Sequence, residues 1–117
     1  MKDGFLRVAT ACPAIRVADP AYNVASHIAA ARDAAAGGVR VLAFPELSLS
    51  AYTCSDLFYQ EVLLDACEAA LGEYLAATAD LDMVSIVGVP VRHAGRLYNC
   101  AAVTCRGHLL GLVPKTH

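Results

Sequence analysis

The most informative stretch of the sequence is an apolar run of strand length that stops at a proline and is followed at once by a carboxylate. The run covers residues 39–44, and Pro45 and Glu46 come directly after it. Short apolar runs rich in β-branched residues are typical of strands buried on both faces, as in parallel sheets. Pro45 has no N–H group for a sheet ladder, so the pattern predicts a strand that ends at Phe44. Glu46 is then expected at the carboxyl end of this strand, where open α/β sheets place their ligand crevices.

The residues before this strand predict a strand and a helix. Residues 5–11 are apolar enough for a first strand, and Asp19-Pro20 has the capping aspartate and first-turn proline of a helix start. One helical face follows at spacings of four, three and four: Val24, Ile28, Ala31 and Ala35. Gly37-Gly38 is the predicted helix end, and His27 is predicted at the edge of the apolar face. Strand, helix and strand together form a predicted β-α-β unit.

The second half of the chain predicts a longer helix and then antiparallel strands. The helix is expected to start at Ser55-Asp56 and to reach about Ala79, although Gly72 costs about 1 kcal/mol relative to alanine. Its apolar face is predicted from positions at helical spacing: Leu64, Cys67, Leu71, Leu75 and Thr78. Two short turns then separate three predicted strands: 84–91, 97–105 and 108–113. Because turns this short join antiparallel neighbours, the whole sheet is expected to be mixed.

The composition favours a buried core and argues against several classes of partner. Hydrophobic residues make up 57% of the 117 residues, yet no uninterrupted apolar run approaches the roughly 18 residues of a membrane-spanning helix. The net charge is −2 and the nine Lys and Arg residues are scattered, so nucleic acid is not an expected partner. The amino terminus lacks the long apolar core of a secretory signal, which predicts a cytoplasmic protein with no membrane association.

The cysteines and histidines show no pattern that suits a metal site. The five cysteines are odd in number and include no C-x-x-C pair, and we interpret them as reduced, buried thiols that pack as small hydrophobes. The four histidines share no spacing typical of metal ligands. No metal and no cofactor are therefore expected in this segment.

Two residues of opposite charge, each placed after a strand-ending proline, form the candidate site. Glu46 follows Pro45 and Lys115 follows Pro114, so both are expected at one rim of the sheet. Each residue alone is also explained as a solvated surface charge, because charged residues are mostly exposed. Asn99 is a polar residue in a strand that otherwise packs, and it is expected to tie down a neighbouring loop rather than to belong to the site.

The order and separation of these motifs resemble the nitrilase, or carbon–nitrogen hydrolase, superfamily. The segments on which this resemblance rests are Phe-Pro-Glu at 44–46 and Pro-Lys at 114–115. More narrowly, four segments resemble the amino-terminal glutaminase domains of glutamine-dependent NAD synthetases: residues 44–52, residues 55–57, the hairpin entry 96–99 and residues 112–115. The resemblance implies an α/β fold of the nitrilase type, an α-β-β-α sandwich with a mixed sheet, of which residues 1–117 are the N-terminal part only.

The resemblance also implies a Glu–Lys–Cys triad that hydrolyses an amide through a thioester. Glu46 would carry the thiol proton to departing ammonia, and Lys115 would stabilise the oxyanion. An apolar cleft would raise the pKa of Glu46 and a close lysine would lower it, a competition that the sequence leaves open. Tyr52 is implied to line the glutamine pocket or to orient the catalytic groups, with packing as an equal alternative. The nucleophilic cysteine is expected downstream of His117, so these 117 residues alone are expected to be inactive.

The implied partners are glutamine and further copies of the chain in a homo-oligomer. ATP and Mg are expected only in a separate synthetase domain, outside these residues, that amidates nicotinic acid adenine dinucleotide to NAD. Two alternatives stay open: a free-standing nitrilase-type amidase or carbamoylase, and a non-catalytic α/β interaction module. The missing nucleophile favours the module, whereas the strongly apolar segments 84–91 and 109–113 argue against it, since a free-standing module would expose them.

Overall fold

One mixed sheet and two helices make up the described part of the chain. This computed structural model describes residue 4, residues 6–50 and residues 57–115, with the backbone alone for residues 57–60. In chain order the elements are β1 (Val8–Thr10), α1 (Pro20–Ala36), β2 (Val41–Ala43), α2 (Leu57–Ala77), β3 (Val84–His93), β4 (Arg96–Cys105) and β5 (His108–Pro114). The predicted α/β class is confirmed. Neither of these helices is long and apolar enough to cross a membrane.

The five described strands lie in the sheet in sequence order, β1-β2-β3-β4-β5. The first two pairings are parallel and the last two are antiparallel, which confirms the predicted mixed sheet. The turns Ala94-Gly95 and Arg106-Gly107 join the antiparallel strands, and all four of these residues have positive φ angles between 51° and 81°. Two consecutive left-handed residues match the right-handed twist of the flanking strands. These turns therefore set the register of the β3-β4-β5 meander.

Local capping fixes both ends of α1, as the sequence predicts. The side chain of Asp19 accepts a hydrogen bond from the Tyr22 N–H at 3.1 Å, and Pro20 occupies the first helical position. At the other end Gly38 takes the left-handed conformation, with φ +85°, that stops a helix at low steric cost. Residues next to α1 in the sequence therefore determine where this helix, which connects β1 to β2, begins and ends.

The prediction for α2 is correct for most of its length but partly wrong for its buried face. The helix ends at Ala77 and continues unbroken through Gly72; its predicted start lies outside the described residues. Among residues 61–77 the buried side chains are Leu63, Cys67, Ala70, Leu71 and Tyr74, and Thr78, just after the helix, is buried as well. Leu64 and Leu75, which the prediction favoured, are only half-buried. The buried face instead includes Tyr74, whose ring is fully buried and whose hydroxyl donates to Ser85 Oγ on β3 at 2.7 Å.

Replacing Gly72 by alanine is expected to raise the free energy of unfolding by about 1 kcal/mol, because alanine loses less backbone entropy in a helix. A Cβ atom at this position would meet nothing within 4 Å. Denaturant unfolding of the protein measures the change. The matched control is Gly107→Ala, which should destabilise, since Gly107 has φ +81° and its Cβ would lie 2.9 Å from the Ala79 Cβ. An unchanged or lower stability for Gly72→Ala would contradict the prediction.

The core lies between the two helices and one face of the sheet. Side chains alternate along the strands, and those facing the helices are buried: Leu42, Ser85, Val87, Val89, Cys100, Ala102 and Thr104. The alternate positions form the opposite face and are only half-buried: Val41, Ala43, Ile86, Ala101 and Val103. In the described part of the chain no helix covers this second face. The rim of this open face carries the candidate site.

His27 is fully buried, so its predicted place at the edge of the α1 face is wrong. Its ring lies against the Phe44 ring, with centroids 4.3 Å apart, and its Nδ1 donates to the Asn23 carbonyl oxygen at 2.6 Å. Its Nε2 atom is buried and has no hydrogen-bond partner among the described residues. Because burial disfavours the charged ring, the pKa of His27 is lowered from 6.5. The histidine is held neutral directly beneath the strand that leads to Glu46.

Acidification below about pH 6.5 is therefore expected to destabilise the fold through His27. In this window the unfolded chain protonates the histidine and the folded chain does not, so stability falls as pH falls until the lowered folded-state pKa is passed. The slope from one proton is at most about 1.4 kcal/mol per pH unit. Unfolding measured from pH 8 to pH 5 should show this slope, and His27→Phe should remove it. Equal slopes in both proteins would contradict the assignment. Asp80 and Asp82, whose pKa values neighbouring arginines lower below 3.8, act only at lower pH.

Candidate active site

Glu46 stands at the end of β2 because Pro45 stops the sheet ladder there. The Phe44 N–H still donates to the Ile86 carbonyl at 2.9 Å, and the chain then turns away over residues 46–50. The strand end predicted at Phe44 is thus correct to within one residue. Leu47 has φ +53°, a left-handed conformation uncommon for a residue with a side chain. We call residues 45–50 the Glu46 turn.

Lys115 reaches the same rim from β5. Its backbone N–H donates to the Asn99 carbonyl at 2.8 Å, which extends the β4-β5 pairing by one residue beyond Pro114. Strand alternation then puts the side chains of Lys115 and Asn99 on the open face, next to the Glu46 turn. Two separate strand ends and one strand interior therefore converge on one place.

The three side chains meet at a single carboxylate oxygen. Glu46 Oε1 lies 2.6 Å from Lys115 Nζ, and the Asn99 Nδ2 group donates to the same oxygen at 2.7 Å. The side chains of Glu46 and Lys115 are 52% and 50% exposed, so their ion pair contributes at most about 1 kcal/mol to stability. A carboxylate can move a proton, and an ammonium beside it can stabilise a developing anion.

A cleft of about 290 Å³ opens beside this cluster. Its walls are mainly apolar, and the residues that line it besides the three polar ones are Phe44, Pro45, Ile86, Gly88, Cys100, Ala101, Val113 and Pro114. An apolar cleft with a few convergent polar groups is the usual form of a small-molecule site. The cleft therefore has the features of a binding site for a small polar substrate.

The cysteines that the structure describes do not supply a nucleophile to the cleft. Cys67 and Cys100 are buried as predicted, Cys105 is intermediate, and Cys12 is exposed, which the prediction of buried thiols missed. Burial raises the pKa of Cys67 to about 11 and raises that of Cys100 as well. Cys100 borders the cleft, but its buried thiol stays protonated and is a weak nucleophile. Cys54 lies outside the described residues.

Within the described part of the chain no three His, Cys, Asp or Glu side chains form a group that could hold a metal ion.

The structure brings together the two residues predicted from the sequence and adds two that the sequence analysis missed. Glu46 and Lys115 are in contact, whereas Tyr52 lies outside the described residues. Asn99 ties down the loop after β2, as expected, but it does so by binding the Glu46 carboxylate itself. Gly88 is the second addition, because a Cβ there would lie 2.4 Å from the Leu47 nitrogen. An isolated polar residue and an isolated glycine inside apolar strands were the only sequence signals for these two.

Comparison with known proteins gives concordant matches. A model of the carbon-nitrogen hydrolase family matches residues 7–117. The glutamine-dependent NAD(+) synthetase of Mycobacterium tuberculosis is 45% identical over 114 residues, which are 97% of this chain and 17% of that protein. The chain therefore spans less than one fifth of the length of this relative.

Solved structures with the same fold include a synthetase and an amidase. The glutamine-dependent NAD(+) synthetase from Cytophaga hutchinsonii superimposes with a TM-score of 0.86 and 28% identity, covering 96% of this chain and 19% of that one. An amidase from Nesterenkonia sp. gives a TM-score of 0.78 at 22% identity, over 96% of this chain and 43% of that one. The amidase likeness shows the fold alone, and it agrees with the predicted nitrilase-type architecture.

Proposed function

The chain belongs to the carbon–nitrogen hydrolase family, and on that premise we propose that it is the amino-terminal part of a glutaminase domain in a glutamine-dependent NAD synthetase. The observation that carries the proposal is the contact of Glu46 with Lys115 at 2.6 Å on the rim of the cleft. The 45% identity to the Mycobacterium tuberculosis synthetase supports a glutaminase over a free-standing amidase. The position of this ion pair beside a mainly apolar cleft supports an enzyme over a purely structural module.

In the proposed reaction Glu46 is the proton carrier. It takes the proton from a cysteine thiol, and the thiolate attacks the side-chain amide carbon of glutamine. The carbonyl oxygen becomes negatively charged, and Lys115 stabilises that charge. Glu46 then hands the proton to the leaving nitrogen, and ammonia departs while a thioester remains. Water, deprotonated by Glu46, then attacks the thioester carbon. The C–S bond breaks, Glu46 returns the proton to the departing thiolate, and glutamate is released. We propose that sequence following His117 in the parent protein supplies the cysteine.

Asn99 has a supporting part in this scheme. Its side chain donates to the Glu46 oxygen that also contacts Lys115, and its carbonyl accepts the Lys115 N–H. One residue of β4 therefore fixes both the carboxylate and the backbone that carries the lysine. Orienting reacting groups in this way is worth a large part of a typical catalytic barrier.

The ammonia would serve a second active site elsewhere in the parent protein. We propose a separate synthetase domain that uses ATP and Mg to amidate nicotinic acid adenine dinucleotide to NAD. None of the described residues is assigned to ATP or Mg. The homo-oligomer implied by the resemblance stays a prediction.

The intact mass of the native gene product and its amidase activity test the proposal. The product is expected to be much longer than 117 residues and to release ammonia and glutamate from glutamine. It should also form NAD from nicotinic acid adenine dinucleotide, with ATP, Mg and glutamine as the nitrogen source. Hydrolysis of other amides without glutamine turnover would favour a free-standing amidase. A folded product with no amide hydrolysis at all would favour the non-catalytic module.

A further inference from the structure

We propose that Asn23 and Ser48 form a buried clamp that holds the Glu46 turn and are positioning residues for the proton carrier. The proposal rests on the function proposed above, because the clamp is argued to act through Glu46. Both side chains are almost completely buried and neither touches the cleft. Each makes hydrogen bonds that span a long distance in sequence.

From the sheet side, Ser48 and Leu49 take the place of the strand that has ended. The Gly88 N–H donates to Ser48 Oγ at 3.2 Å, and the Leu49 N–H donates to the Gly88 carbonyl at 3.0 Å. Without these contacts the backbone groups of β3 next to the end of β2 would be buried without partners, which is costly. The Glu46 turn therefore continues the pairing with β3 beyond the end of β2.

From the helix side, Asn23 of α1 uses its whole amide group. Its Nδ2 donates to the Leu49 carbonyl at 2.8 Å and to the Arg16 carbonyl at 2.8 Å, and its Oδ1 accepts from the Arg16 N–H at 2.6 Å. The Ala18 N–H also donates to the Ser50 carbonyl at 2.9 Å. One buried asparagine therefore ties the Glu46 turn to α1 and to the loop that precedes it.

The Glu46 turn needs such a clamp because two side chains that Glu46 contacts are carried by other strands. Lys115 and Asn99 are carried by β5 and β4, whose register does not depend on the Glu46 turn. The turn itself includes Leu47 in a left-handed conformation, which surrounding contacts must maintain. A displacement of about 1 Å between reacting groups can lower a rate by about 100-fold. Loosening the clamp is thus expected to separate Glu46 from Lys115 without altering either residue.

Two buried serines provide the test. Ser48→Ala removes the hydroxyl that accepts from Gly88, and Ser85→Ala removes an equally buried hydroxyl that accepts from Tyr74 at 2.7 Å, on β3 but outside the Glu46 turn. Made in the full-length gene product, both changes should lower the melting temperature to a similar extent. Only Ser48→Ala should lower kcat for glutamine, by about tenfold or more, with KM changed less than twofold. Asn23→Asp, which keeps the shape and replaces two donors by an acceptor, should lower kcat further.

A second readout does not depend on activity. Acetic anhydride acylates a lysine amine more readily when that amine is not engaged with a carboxylate, so the labelling rate of Lys115 reports its contact with Glu46. The rate is measured by peptide mass spectrometry relative to that of a lysine derivative added to the same solution. Ser48→Ala should raise this rate severalfold and Ser85→Ala should leave it unchanged. In an active enzyme, the proposal is overturned if the two serine variants agree in kcat or in labelling rate. If the wild type releases no ammonia from glutamine, the proposed function fails, and the labelling rates alone decide whether the clamp holds Glu46. If Asn23→Asp does not fold, the serine pair still decides.

Discussion

Replacing Glu46 by glutamine in the full-length protein is expected to abolish ammonia release from glutamine, with kcat lowered by at least about 100-fold. A positioned proton carrier contributes roughly 10² to 10⁴ in rate, and an amide cannot take up the thiol proton. Glutamine keeps the shape of the side chain and can still accept from Asn99, so the loss isolates the charge and the proton transfer. Stability should change by no more than about 1 kcal/mol, because the pair with Lys115 is half-exposed.

A second glutamate provides the control for this substitution. Glu61 pairs with Arg92 at 3.0 Å and is 71% exposed, so it matches Glu46 in charge and in pairing with a basic side chain. Glu61→Gln should leave both ammonia release and stability close to wild type. Full activity in Glu46→Gln, or an equal loss in the two variants, would show that Glu46 is not the proton carrier.

Replacing Gly88 by alanine is expected to be the most damaging change within the described sheet. Its Cβ would lie 2.4 Å from the Leu47 nitrogen, 2.5 Å from the Pro45 carbonyl oxygen and 2.8 Å from the Ser48 nitrogen. All three are backbone atoms, so no side chain can move aside and the whole Glu46 turn has to shift. Overpacking of this kind costs typically about 1–3 kcal/mol and sometimes more. Because the displaced turn carries Glu46, glutamine hydrolysis should also fall by more than about tenfold.

Gly111 is the matched control, since it also lies in a strand but a Cβ there would meet nothing within 4 Å. Gly111→Ala should change the free energy of unfolding by less than about 1 kcal/mol and should leave activity intact. Denaturant unfolding and ammonia release measured on the same preparations separate the two effects. Wild-type stability and activity in Gly88→Ala would mean that the turn does not rest on this glycine.

The sequence by itself determined the features that depend on near neighbours along the chain. Pro45 ends β2 because proline lacks an N–H group, and Asp19 starts α1 because its side chain accepts from the first turn. The glycine-containing turns after residues 93 and 105 set the antiparallel order of the last strands. From these rules, and from the resemblance they supported, Glu46 and Lys115 could be chosen in advance.

Tertiary structure alone decided which distant groups meet and which faces are buried. Asn99 binds a carboxylate 53 positions earlier in the chain, and that contact depends on the register of three strands and a turn. His27 was misplaced because its burial comes from the Phe44 ring, directly after β2, rather than from its own helix. Gly88 is required only because the Glu46 turn folds back onto it. The physical reason is common to all three: propensity and capping act over a few residues, whereas packing brings together atoms that no local pattern relates.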